Sequence, residues 1–202
     1  MSLLLPHTFA DGPGNTASGV QVMDNFAALN AGIAMPTGTS LPTSGLVDGQ
    51  DYYYVADATN GVVWHLKYRT AEAGANKWMF VGGSKLMASA ASTAATSGAY
   101  AAFAALSITV PRSGDYIVGF GGAMSTSSTG VLCRVSVGGA GLTAADANSV
   151  ATQQGAVGFD GFAREVRVSL NAAGTLQMYG QTSVGNVAVD QPWLSLVPVR
   201  CI

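Results

Sequence analysis

Across its second half the sequence is a succession of short runs in which apolar residues recur at every second position, each run closed by a Gly-rich turn. The runs fall at residues 105–110, 115–121, 131–137, 164–170, 176–181 and 193–201. Period two is the period of a strand with one buried face, and regularly spaced strands without helical stretches between them specify an all-β sandwich or barrel. Val166, Val168 and Leu170, alternating with Glu165, Arg167 and Ser169, show the pattern at its clearest. The last run, Trp193-Leu194-Ser195-Leu196-Val197-Pro198-Val199, departs from it by being apolar on both faces. A strand of that kind is predicted to be covered on both sides, the second cover being another subunit, which makes Trp193, Leu194, Leu196, Val197 and Val199 candidate interface residues. Pro198 lacks a ladder donor, so an edge or a bulge is expected there.

Two further segments precede this region. From residue 50 to 83 the period is also two: Val62, Trp64, Leu66 and Tyr68 fall on one face, with Val63, His65, Lys67 and Arg69 on the other. Tyr52-Tyr53-Tyr54-Val55 and Trp78-Met79-Phe80-Val81 flank this run, and Asn60-Gly61 is a tight-turn signal, so a three-stranded antiparallel meander is predicted. So small a sheet has too little core to stand alone and needs a neighbour over its aromatic face. At the start, Val22, Phe26, Leu29 and Ile33 recur at spacings of four, three and four, the stripe of a short helix over residues 20–31 that docks on its own domain or packs against symmetry mates or a larger partner, the second being the anchoring reading, and Met35-Pro36 ends it. The expected organisation is an N-terminal anchoring segment, 1–35, a small β module, 36–86, and a β-sandwich, 87–202. Residues 87–98, almost all Ala, Ser, Thr and Gly, suit a linker or a small-residue strand equally.

Composition bears on the surface. Nine basic and eleven acidic residues make 10% of the chain charged, against about a quarter in typical soluble domains. A hydrophobic fraction of 49% excludes a disordered tail. Such a chain is expected to cover part of its apolar area with copies of itself or within a larger assembly. The net charge is -2 and residues 1–66 contain neither Lys nor Arg, so no nucleic-acid partner is expected. Met1-Ser2-Leu3-Leu4-Leu5 has no positive flank and stops at Pro6, and no run of 18 apolar residues follows. Neither a secretory signal nor membrane insertion is expected, and the chain is expected to begin where it is written and to be made in a cytosol.

No constellation for chemistry emerges, and the expectation is a protein with no catalytic residues, no cofactor and no metal. His7 and His65 lack Cys, Asp or Glu partners at metal-ligand spacing, and Gly-x-Ser-x-Gly is absent. Asp160 and Glu165 are the nearest carboxylate pair, yet Glu165 alternates with Arg164 and Arg167 as on a solvated strand face. Gly82-Gly83, Gly121-Gly122 and Gly138-Gly139-Ala140-Gly141 open onto no phosphate-binding helix and read as turns and bulges. The Tyr52 to Tyr54 aromatics suit a buried strand better than a sugar-stacking platform. Cys133 and Cys201 are too far apart in sequence for a zinc pair and are expected to be buried, reduced thiols.

Three stretches together resemble structural proteins of tailed-bacteriophage virions. Phe9-Ala10-Asp11-Gly12-Pro13, followed by Val22-Met23-Asp24-Asn25-Phe26-Ala27-Ala28-Leu29, is similar to the opening of tail and fibre-like subunits, with Asp24 where Asn is usual. Gly49-Gln50-Asp51-Tyr52-Tyr53-Tyr54, Val62 to Arg69 and Lys77-Trp78-Met79-Phe80-Val81-Gly82-Gly83 look like a small β module of such proteins. Ile108-Thr109-Val110-Pro111-Arg112-Ser113-Gly114-Asp115-Tyr116-Ile117-Val118 and the terminal Val197-Pro198-Val199-Arg200 resemble phage jelly rolls of the C1q/TNF-like kind. The resemblance implies a mainly β, homotrimeric virion protein: a minor tail or fibre-like subunit assembled in the host cytoplasm, held to other virion proteins by its N-terminal segment and projecting a jelly roll. A head fibre or capsid decoration is the alternative location. A receptor module binding host-surface glycan is the alternative class, and a depolymerase is the weakest reading because no internal repeat is visible.

Overall fold

The computed structural model describes residues 35–96, 98–126, 131–153 and 160–202. The stripe Val22, Phe26, Leu29 and Ile33, and the helix predicted for it, lie outside the described residues. Within them the only helical element is a single 3-10 turn, Asp146–Asn148, and every other element is a strand.

The predicted meander is present as β2 (Asp51–Asp57), β3 (Val62–Tyr68) and β4 (Trp78–Gly83), with β1 (Thr37–Gly38) laid parallel against β2. The β2–β3 turn is set by Asp57, whose carboxylate accepts from the Thr59 and Asn60 backbone amides at 2.9 and 3.1 Å, while Gly61 takes the left-handed φ of 66°. The small-residue stretch that follows forms two strands, β5 (Leu86–Ser89) and β6 (Ser92–Thr96). The remaining strands are β7 (Ala101–Thr109), β8 (Gly114–Thr126), β9 (Leu132–Gly139), β10 (Ser149–Gln153), β11 (Asp160–Leu170), β12 (Thr175–Thr182) and β13 (Asn186–Cys201).

These strands form two sheets. The larger runs β1-β2-β3-β4-β13-β8-β11, with β5 and β6 also paired to β13; the smaller runs β10-β9-β12-β7. From β7 onward the chain passes back and forth between the layers, the winding of a jelly-roll sandwich. The alternation of apolar residues directs Tyr116, Val118 and Phe120 from β8, Cys133, Val135 and Val137 from β9, and Leu194 and Leu196 from β13 into one core, all fully buried. Arg164 clasps the sandwich at its β11 edge, donating to the carbonyls of Ser149 and, at 2.8 Å, Ala147.

Two strands outrun their sequence signals. Strand β8 continues through Gly119, Gly121 and Gly122, and β13 extends back to Asn186 across a register shift between Asp190 and Trp193, where Gln191 takes a positive φ of 47°. A second shift follows Pro198, so a bulge does stand where the proline predicts one. On the opposite flank of β13 the ladder with β5 ends at Leu196 and that with β4 starts at Arg200, so Pro198 interrupts no pairing there.

The neighbour the meander needs is the sandwich itself. Strand β4 adds to the end of β13 through Met79 opposite Arg200 and Trp78 opposite Cys201, making one continuous sheet. Beneath this junction Tyr54 meets Trp64 at 5.8 Å between ring centroids, and Trp64 meets Tyr116 of β8 at 6.2 Å. Tyr68 packs edge-on against Trp78 at 5.3 Å. The two fully buried rings have partners for their polar tips: the Trp64 indole N–H donates to Ser84 O at 3.0 Å, and the Tyr116 hydroxyl donates to Arg112 O at 2.5 Å. Because Trp64 has no exposed surface and touches both parts, Trp64→Ala is expected to cost about 3–5 kcal/mol. Urea unfolding followed by near-UV circular dichroism should show a single, earlier transition; two separated transitions would mean that the meander melts by itself.

Candidate assembly face

With its inner face committed to the core, the larger sheet still carries apolar residues on its outer face. On β13 the outward positions are Trp193, Ser195 and Val197, with Val199 in the bulge, and Trp193, Val197 and Val199 are half-buried. On β8, Ile117 stands opposite Val197 and is 38% exposed, and Met87 of β5 stands opposite Ser195 at 56% exposed. Leu194 and Leu196 point the other way into the core, with no exposed area, and so present nothing to a partner.

The indole of Trp193 lies across two glycines. A Cβ on Gly121 would sit 2.7 Å from Trp193 Cε2 and Nε1, and one on Gly119 would sit 3.2 Å from Trp193 Cζ3. The absence of side chains at these alternate positions lets the ring settle close to the backbone, which leaves a flat surface over β8 and β13. Ser195, almost fully buried beside it, donates its hydroxyl to Gly119 O at 3.4 Å. Sequence reasoning reads Gly121 as part of a turn or bulge and assigns neither it nor Gly119, Ile117 or Met87 to this face. The signal was there in Tyr116-Ile117-Val118, apolar on both faces like the final strand, and in glycines spaced two apart.

A polar network bounds this face at the end nearest the C-terminus. Asp115 accepts from the Ser169 hydroxyl and from Arg200 Nε, both at 2.6 Å, with Arg167 at 3.7 Å, and Arg200 reaches on to Glu72 at 3.2 Å. Only 13% of the Asp115 side chain is exposed. The Ser169 hydrogen bond first, and the Arg200 hydrogen bond and charge second, hold its carboxyl below the ordinary range.

The other candidates disperse. His65 does have an acidic partner, Asp51 at 2.7 Å across the β2–β3 ladder, with Lys67 on the same carboxylate at 3.3 Å and Tyr53 stacked on the imidazole at 4.9 Å. Cross-strand pairing produced this cluster, and linear spacing does not reveal it; the His65 hydrogen bond is the main reason the Asp51 carboxyl is held low. His7 is outside the described residues. Asp160 and Glu165 are five residues apart on one strand, hence on opposite faces and about 16 Å apart along it. Among the described residues no group of three His, Cys, Asp or Glu could hold a metal ion. Cys133 and Cys201 are free and buried; burial raises both thiols, Cys201 to about 12, which keeps them protonated and unreactive. A hollow of about 240 Å³ on the smaller sheet is lined by Gly98, Leu132, Arg134, Gln181, Thr182 and Ser183, without a base beside its hydroxyls.

Comparison with known proteins leaves this geometry to be interpreted on its own terms. No family model matches the chain, and no curated protein matches it. Among solved structures it is similar to the Eiger TNF of S. frugiperda at 12% identity and a TM-score of 0.37, over 51% of this chain and 70% of that one. It is also similar to the isomalto-dextranase of Arthrobacter globiformis T6 complexed with panose, at 15% identity and a TM-score of 0.29, over 68% of this chain and 18% of that one. A third likeness is to the structure of the Gx strain of infectious bursal disease virus, at 12% identity and a TM-score of 0.29, over 80% and 45% of the two chains.

The Asp115 network makes a pH-dependent contribution with a definite sign. A carboxyl held low in the folded state stabilises the fold above its unfolded value, near 3.9, and that contribution is lost as the pH falls through the folded value. Urea midpoints measured between about pH 2 and 5 should therefore fall more steeply with acid in the parent protein than in Asp115→Asn. Parallel slopes would show that this carboxylate is not held by its neighbours.

Proposed function

We propose that this chain is a non-enzymatic structural subunit of a tailed-phage virion, a minor tail or fibre-like protein whose N-terminal segment holds it to other virion proteins and whose jelly roll assembles as a homotrimer. One observation carries the assembly: Trp193, Val197, Ile117 and Met87 form a flat apolar band on the outside of a sheet whose inner face is already filled. A chain with 10% charged residues has little else with which to keep such a band in water. The virion setting is supported by the resemblance of the N-terminal leader, the β module and the jelly-roll stretches to phage structural proteins. The meander, fused to β13 by a shared sheet, is a rigid base through which the N-terminal segment can orient the sandwich.

In this reading the band closes around a rotation axis, and the copies exclude water from it. The gain is about 25 cal/mol per Å² of apolar area removed from water, less the cost of association. Light scattering of the purified protein at micromolar concentration should give the mass of three 20.4 kDa chains. A stable monomer would remove the basis of the proposal. Phe26→Asp and Leu29→Asp are expected to leave that trimer intact while reducing its incorporation into particles, compared as particle-associated against soluble protein. Normal incorporation with both changes would place the anchor elsewhere.

A further inference from the structure

We propose that the copies meet with Lys85 of one chain against Glu165 of the next, around an axis that runs along the strands. This rests on the assembly reading above and adds to it which flanks of the face come together, and in which direction.

The observation is an imbalance in how charges are satisfied. Nearly every charged side chain the structure describes has a partner: Asp51 with His65 and Lys67, Asp48 with Arg69, Asp115 with Arg167 and Arg200, Arg200 with Glu72, and Arg164 with two backbone carbonyls. Among the charged side chains that the structure describes, only those of Lys85, Glu165 and Asp190 make no hydrogen bond or ion pair. Two of these three border the apolar band on opposite sides.

Their positions follow from the ladder. The strands across the band run β5, β13, β8, β11, so its flanks are about 14 Å apart. Lys85 precedes β5, whose first residue Leu86 pairs with Leu196, which sets Lys85 level with Val197. Glu165 pairs with Gly119, which pairs with Ser195. Along the strand direction the two charges are thus about two residues, or 7 Å, apart, within reach of two flexible side chains. Both are exposed. Arg167, the next outward residue on β11, already lies toward Asp115 at 3.7 Å.

Symmetry then discriminates. An axis along the strands brings the β5 flank of one copy against the β11 flank of the next, a positive charge onto a negative one. A two-fold axis across the strands within the sheet plane would set Lys85 against Lys85 and Glu165 against Glu165, and a three-fold axis in that direction would join strand ends and leave both flanks apart. Like charges placed together at the rim of an apolar contact are repelled, so complementarity selects the first arrangement.

A charge swap tests this. E165K and K85E are exposed substitutions that leave the fold intact, which far-UV circular dichroism checks. Each alone is expected to raise the concentration of half-dissociation at least about tenfold, measured by light scattering on serial dilution, and the double variant E165K/K85E should return it to within about threefold of the parent. The single-variant defect should also shrink as salt is raised. Singles without effect, or a double variant no better than either single, would overturn the pairing while a multimeric parent protein leaves the assembly face standing. A monomeric parent would instead overturn the assembly reading itself.

Discussion

The hydrogen-bond ladder of β13 is the constraint on which the other elements depend. Its sixteen residues pair along one flank with β8, and along the other with β6, β5 and β4 in succession. A strand with partners on both sides has its backbone donors and acceptors satisfied without water, so it can be buried on both faces. The inner face, through Val187, Val189, Leu194 and Leu196, supplies the larger sheet's share of the sandwich core. Its last residues extend the same sheet into the meander. Without β13 the small-residue strands β5 and β6, the meander and β8 would have no common neighbour.

The two faces of that sheet divide the labour. Inside, aromatic and branched residues interlock from Trp64 through Tyr116 to Phe120, joining what the sequence presents as two modules into one apolar interior. Outside, glycines at 119 and 121 admit Trp193 onto the backbone and make the surface flat. The band is flat, and the ion pairs around Asp115 close it at one end. Low charge is therefore concentrated where it has a purpose: the few ionised groups are spent on fixing strand ends and bordering the band, and the band itself carries none.

Much of the fold was legible because period two is robust. Each predicted run in the second half has a strand over it, and the meander appears within a residue or two of its expected limits at β2 and β3. What escaped did so for physical reasons. Ala, Ser and Thr at 87–96 have no hydrophobic contrast, so only the β13 ladder makes strands of them. Asp190-Gln191-Pro192 looks like a loop in sequence, but a bulge absorbs it and the strand runs on. In the candidate site, apolar character on both faces singles out the last strand but not which residue faces which way. Alternation assigns Leu194 and Leu196 inward and Trp193 and Val197 outward once the register with β8 is known. The Asp51–His65 pair and the Asp115 network arise between strands distant in sequence, which no linear spacing displays.

The placement of β13 also governs the order in which the chain can fold. Strands β4, β5, β6 and β8 are all made earlier than the strand that joins them, and their ladders cannot close until residues 186–201 have left the ribosome. Until then the smaller sheet has only the β8–β11 pair of the larger sheet to pack against, and the edges of β8 and β5 that β13 will cover remain open to other chains. Pairings this distant in sequence are slow to form and expose apolar surface while they wait. In nascent chains side by side on one message, those open edges face identical neighbours. The same strand that makes the finished sheet continuous makes its synthesis the interval of greatest risk, when unpaired edges are open to misassembly.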